Sequence, residues 1–162
     1  MNDERALREF YAASYPRLVR VVGAVCGSTA DAEEAVQDAF VALVGQWGAV
    51  SAYDDPEAWV RKVALRHAGR RRRKALNGLR AVLRHGPPAD APALSGDAVD
   101  LRRALAALPR KQREVVVLQD LGLDTAAIAR QLDIAEGTVK SRASRARATL
   151  APLLREDAHD HV

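Results

Sequence analysis

The sequence predicts an all-helical protein built from two small domains joined by a flexible linker. Three observations carry this. The 162 residues are 48% hydrophobic but only 4% aromatic, so cores must be assembled from Leu, Val and Ala, which suits small helical units. Apolar residues recur at three- and four-residue spacings along most of the chain, and β-branched residues nowhere alternate with polar ones for long. Gly78, Gly86, Pro87, Pro88, Pro92 and Gly96 crowd one short stretch, the composition of a linker. The expected divisions are a helical domain over 1–76, a linker over 77–99, a second helical domain over 100–155 and a polar tail over 156–162.

The first helix is expected from about Asp3, where Leu7, Phe10, Tyr11, Ser14 and Leu18 begin a stripe that Val21, Val22 and Val25 continue. Gly27 breaks it. Ser28 to Asp31 fits a capping box, and the helix that follows sets Ala32, Ala35, Val36, Ala39, Phe40 and Leu43 on one face. Residues 48–55 read as a loop. Asp55 then caps a third helix with Pro56 in its first turn. In that helix Trp59, Val60, Val63, Ala64 and His67 fall within an arc of about 140° and form the expected buried face. Trp47 and Trp59 are expected in the core. Arg70 to Lys74 reads RRRRK, which no apolar core accepts.

Charge is distributed unevenly. The chain carries +4 overall, but residues 1–57 hold four basic and ten acidic residues, and residues 58–85 hold ten basic and none acidic. A basic segment of this kind suits a polyanion, and an acidic one suits a different partner; a solvated basic helix face is the plainer alternative. Cys26 is the single cysteine, which excludes an internal disulfide. No stretch reaches the roughly 18 apolar residues of a membrane span, and the N-terminus lacks the apolar core of a secretion signal. No membrane insertion is expected, and the expected location is the cytoplasm.

In the second domain Pro109 separates a helix bearing Leu101, Ala104, Leu105 and Leu108 from one bearing Val115, Val116, Leu118 and Leu121. Asp124 then caps a short helix over about 125–132. Asp133, Ile134 and Ala135 form a tight turn, and a last helix starts near Glu136. On it Val139, Ala143, Ala146 and Leu150 lie within about 60° and make the buried stripe. Thr138, Ser141, Arg142, Arg145 and Thr149 occupy a neighbouring outward stripe, with Lys140 and Arg147 beyond. Short hydroxyls near the start of a helix and arginines further along suit contacts to bases and phosphates in a DNA groove. The same pattern also fits an amphipathic helix pair with a basic exterior.

These residues carry a family resemblance. The segment from Leu101 to Leu150, with Leu108-Pro109, Arg113, the run Gly137-Thr138-Val139-Lys140-Ser141-Arg142 and then Arg145-Ala146-Arg147, closely resembles the upstream-element reader of the extracytoplasmic-function (ECF) sigma factors of bacterial RNA polymerase. DAEEAVQDAF resembles the helix with which that family grips the polymerase, and PEAWVRKVA resembles the start of its promoter-melting helix. The resemblance covers nearly the whole chain in the right order. It departs at Ala127, at Asp133 in the turn, and at Arg66 and Arg70, where the family commonly has other residues.

The resemblance implies a transcription initiation factor that lends promoter specificity to core RNA polymerase; the sequence holds no GxxxxGK(S/T) phosphate loop and no HExxH motif, and no catalytic residues, cofactor or metal are expected. It implies polymerase binding by Glu33, Glu34, Gln37 and Asp38. It implies contacts to the melted downstream element by Tyr53, Arg61, Lys62, Arg66, Arg70, Arg71 and Arg73, with Tyr53 stacking on a base. It implies contacts to the duplex upstream element by Thr138, Lys140, Ser141, Arg142, Arg145 and Arg147. An anti-sigma factor is a further implied partner. From the residues alone, a conventional helix-turn-helix regulator and an interaction protein with no DNA role remain the alternatives. His159 and His161 are expected to hold no metal.

Overall fold

The structure is a computed structural model, and it describes residues 2–81 and 96–157. Among these there are eight helices and no strand. The chain divides into two compact units, Met1–Pro92 and Ala93–Val162.

Unit 1 is a bundle of α1 (Asn2–Cys26), α2 (Thr29–Val44) and α4 (Pro56–Ala81), with a single turn, α3 (Trp47–Val50), beside them. The connections follow local chemistry. Gly27 takes φ +76, a left-handed conformation that favours glycine, and ends α1. Ser28 caps α2, its hydroxyl accepting the Asp31 amide at 3.2 Å. Asp55 caps α4, Oδ1 accepting the Ala58 amide at 2.9 Å. The core joins Leu18, Val22 and Val25 of α1 to Ala32, Ala35, Val36, Ala39 and Leu43 of α2 and to Val60 and Ala64 of α4. The alanines let the helix axes approach closely, so few large side chains are needed.

Two expectations for unit 1 change. Residues 47–50, in part expected as loop, form α3. The buried face of α4 is also turned from where the sequence placed it. Val60, Arg61, Ala64, Leu65 and Ala68 are buried, whereas Trp59, Val63 and His67 are half-buried at its margin. At about 100° per residue this rotates the buried arc by close to a quarter turn. Trp47 is likewise half-buried, with its ring 5.4 Å from that of Phe10.

Unit 2 contains α5 (Gly96–Ala107), α6 (Arg110–Asp120), α7 (Thr125–Leu132) and α8 (Glu136–Asp157). Its core gathers Val115 and Leu118 of α6, Ile128 and Ala129 of α7, and Val139 and Ala143 of α8, with Leu123, Leu132 and Ile134 packed against them. Arg113 explains why an arginine follows Leu108-Pro109. It is 7% exposed, and its Nη2 donates to the Leu108 carbonyl at 3.0 Å, closing the end of α5. The expected linker narrows at both ends, because α4 runs on to Ala81 and α5 begins at Gly96. The middle of that segment and His159 to His161 lie outside the described residues.

Candidate nucleic-acid and partner interfaces

In unit 2 the geometry is set by the α7–α8 turn. Asp124 caps α7, Oδ1 accepting the Ala127 amide at 2.7 Å. α7 ends at Asp133, which adopts φ 53, ψ 52, a left-handed residue of the kind that commonly ends helices. Beyond it the Ile134 amide donates to the Ala129 carbonyl at 3.1 Å, and the Ile134 side chain packs onto the core. This closure turns the chain sharply into α8. Val139, Ala143 and Ala146 face inward at 0%, 3% and 0% exposure, as the spacing predicted.

Of the expected upstream-element residues, Lys140, Ser141, Arg145 and Arg147 are exposed, and Thr138 and Arg142 are half-buried. The Ser141 hydroxyl donates to the Thr138 carbonyl at 3.1 Å, which leaves its oxygen as an acceptor. The line of α8 furthest from the core was not singled out from the sequence. Gly137, Ser141, Ser144 and Ala148 recur at four-, three- and four-residue spacing and are all exposed, and a Cβ added at Gly137 would meet nothing within 4 Å. A ridge of small residues thus runs between Arg142 and Arg145 on one flank and Lys140 and Arg147 on the other. Such a helix can enter a groove deeply with cations toward the phosphates on both walls. Centring the helical wheel on Val139 and Ala146 would have revealed it.

The expected downstream set separates into four locations. Lys62, Arg66, Arg70 and Arg73 fall within an arc of about 80° opposite the buried face of α4. Lys62 is half-buried and the other three are exposed. Their span of eleven residues corresponds to about 16 Å of helix, long enough to follow several phosphates. Tyr53 stands 50% exposed on the turn before α4.

Arg61 does not join that surface. It is 6% exposed, because it lies in the middle of the rotated buried arc. Burial lowers its pKa, and the nearby Asp55 and Glu57 carboxylates oppose the shift. Glu57 is also gripped by Arg17 of α1 through both carboxylate oxygens, one of them 2.9 Å from Nε. Arg61 is therefore part of the ionic packing at the α1–α4 junction, and the structure places this residue, expected on nucleic acid, inside the bundle.

Arg71 turns toward α2. Its guanidinium contacts Glu34 through Nη1 and Asp38 through Nη2, the latter at 3.1 Å. His67 Nδ1 lies 3.7 Å from the same Asp38 carboxylate. An arginine expected on DNA thus bridges two carboxylates expected on polymerase.

The expected polymerase-binding residues lie along one side of α2. Glu33, Glu34 and Gln37 are exposed, Asp38 is half-buried, and Gln37 donates to the Tyr15 hydroxyl at 3.4 Å. Val41 and Val44 continue this face and were missed in the sequence, although they are 73% and 65% exposed. Two valines left this open beside carboxylates make a face that is charged at one end and apolar at the other. Tyr11, 41% exposed, stacks on Tyr15 at 4.9 Å and meets the Phe40 ring at 4.8 Å on the adjoining surface.

The two units match two family models in chain order. Residues 10–77 match sigma-70 region 2, and residues 98–150 match sigma-70 region 4. The chain is 34% identical over 155 residues to the ECF RNA polymerase sigma factor SigM of Mycobacterium tuberculosis, covering 94% of this chain and 79% of that one. Among solved structures it is similar to the sigma factor RpoE in complex with the anti-sigma factor NepR from Bartonella quintana. That likeness has a TM-score of 0.79 at 25% identity and covers 93% of this chain and 98% of the other. It is also similar to CnrH in complex with the cytosolic domain of CnrY, with a TM-score of 0.62 at 26% identity over 95% and 90% of the two chains. A helical bundle with a basic stripe, a helix-turn-helix with a small-residue ridge, and these matches over nearly the full length place the chain in the ECF sigma factor family of bacterial RNA polymerase.

Proposed function

We propose that the chain binds core RNA polymerase through the α2 face of unit 1 and brings it to promoters that unit 2 reads as duplex and unit 1 holds open. Membership of the family makes it a factor for promoter-specific transcription initiation. The observation that carries the residue-level reading is the α8 surface, a small-residue ridge between two basic flanks, held out by the αL turn at Asp133. Arg142 and Arg145 pair with guanine edges or phosphates on one wall, and Lys140 and Arg147 neutralise phosphates on the other. Thr138 and Ser141 contact the groove near the helix start.

On unit 1, Lys62, Arg66, Arg70 and Arg73 follow the backbone of the separated strand, and Tyr53 offers its ring to an unstacked base. Glu33, Glu34, Gln37 and Asp38 meet cations of the polymerase, and Val41 and Val44 extend that contact with apolar area. The chain recognises and positions, and the polymerase supplies the chemistry. One of the solved structures described above is a complex of a sigma factor with an anti-sigma factor, which supports such a partner for this chain. No described helix is long and apolar enough to cross a membrane, in keeping with work in the cytoplasm.

The test is run-off transcription with purified bacterial core polymerase and GC-rich promoter fragments, with and without the protein. Discrete new start sites that disappear when Arg142 and Arg145 become alanine are the expected result. No new transcripts, together with tight, salt-sensitive duplex binding by the protein alone, would replace this reading with a conventional helix-turn-helix regulator.

A further inference from the structure

Arg71 is the residue at which two surfaces of unit 1 meet. It belongs by sequence to the basic run Arg70 to Lys74, whose members are all exposed. By position it belongs to α2, because its two terminal nitrogens are occupied by Glu34 and Asp38, one turn apart on that helix. The three side chains are 41% to 58% exposed, so the pairs can open without unfolding the bundle. While they are closed, the Arg71 charge is fully offset and is not presented to a phosphate, and Glu34 and Asp38 together present to a partner's cation about half the charge they carry when free. The positions of Glu34 and Asp38, four residues apart, fit one guanidinium between them.

We propose that this clasp holds Arg71 of the DNA-binding surface neutralised and the polymerase-binding carboxylates of the free protein half neutralised, and that docking on polymerase exchanges a polymerase cation for Arg71 and releases Arg71 to promoter DNA. The inference rests on the assignment of α2 to polymerase and of the basic end of α4 to DNA. Linkage makes the effect reciprocal: polymerase raises the affinity for DNA by the factor by which DNA raises the affinity for polymerase. Exposed ion pairs bound its size, because they typically change a binding constant by no more than about fivefold.

The experiment uses the full chain and two binding assays. One titrates core polymerase into the labelled protein. The other titrates the protein alone onto a single-stranded oligonucleotide. Arg71→Gln should bind core polymerase about two- to fivefold more tightly than the natural protein and bind the oligonucleotide more weakly. Glu34→Gln with Asp38→Asn should bind the oligonucleotide about two- to fivefold more tightly, beyond the gain from removing two charges anywhere on α2. Glu33→Gln measures that charge effect per residue, since Glu33 is exposed on the same helix and outside the clasp. In an Arg71→Gln background the surplus should vanish.

A simple interhelix tie gives a different pattern. Arg71→Gln would then lower the melting temperature and leave core affinity unchanged or weaker, and the Glu34 and Asp38 variant would gain no more than the Glu33 control predicts. Either result overturns the clasp. Failure of the natural protein to bind core polymerase would instead remove the functional reading beneath it, so the two failures are distinguishable. Circular dichroism of each variant confirms that the helices remain.

Discussion

Truncating Leu118 to alanine should destabilise unit 2 and leave unit 1 intact, and the placement of the aromatic residues makes this visible. Leu118 is fully buried among Val115, Ile128, Val139 and Ala143, where α6, α7 and α8 meet beneath the exposed face of α8. A Leu→Ala change at such a site costs about 3–5 kcal/mol when the surroundings cannot collapse. A unit of about 60 residues has a total stability of roughly 3–9 kcal/mol. The substitution therefore removes about half of it or more. At about 4–8 °C per kcal/mol for domains of this size, the midpoint should fall by roughly 15–30 °C.

Both tryptophans, all three tyrosines and both phenylalanines lie at or before residue 59. Near-ultraviolet circular dichroism and tryptophan fluorescence consequently report unit 1, while far-ultraviolet dichroism reports the helices of both. In Leu118→Ala the far-ultraviolet signal should melt in two steps, the earlier one silent in the aromatic signals. Specific duplex binding should be lost with that first step. Coincident transitions in both signals, each shifted by the same amount, would refute the independence of the units. A midpoint shift below about 4 °C would refute the packing argument, since it corresponds to less than about 1 kcal/mol.

Further outcomes follow from the same structure. Arg61→Ala should destabilise unit 1 by about 1–3 kcal/mol, seen in the aromatic signals, because it empties a buried position at the α1–α4 junction; Arg66→Ala and Arg70→Ala should leave the melting temperature within a few degrees and weaken DNA binding. For each residue lost from the set Arg66, Arg70 and Arg73, the salt dependence of single-strand binding should flatten by about 0.7 in the log–log slope. Asp133→Gly should be neutral or stabilising, whereas Asp133→Val should cost about 1–2 kcal/mol in thermal melts, because a β-branched residue resists φ 53. Ser144→Leu should preserve folding, since the site is exposed, and should abolish specific upstream binding by filling the ridge proposed to enter the groove.

The sequence by itself determined the longer helices, their caps and the family. Caps at Ser28, Asp55 and Asp124 are local events, because a side-chain oxygen reaches an amide three residues on, and the structure contains all three. The buried stripe of α8 was legible for a related reason: Val139, Ala143 and Ala146 are flanked by charge on both sides, so only one rotation of the helix buries them without burying a cation.

On α4 that reasoning was insufficient. Trp59 and Val63 drew the apolar arc to one side, yet the bundle buries Arg61, Leu65 and Ala68 and leaves Trp59 and Val63 half-buried. Only the tertiary structure could decide this, since it alone supplies the neighbours that make alanine preferable to tryptophan. The same packing explains the fate of the arginines. A residue type fixes a charge but not its surroundings, so Arg61, Arg66 and Arg71 look equivalent in the sequence. The rotation of one helix buries the first beside Asp55 and Glu57, exposes the second, and delivers the third to Glu34 and Asp38 across the bundle.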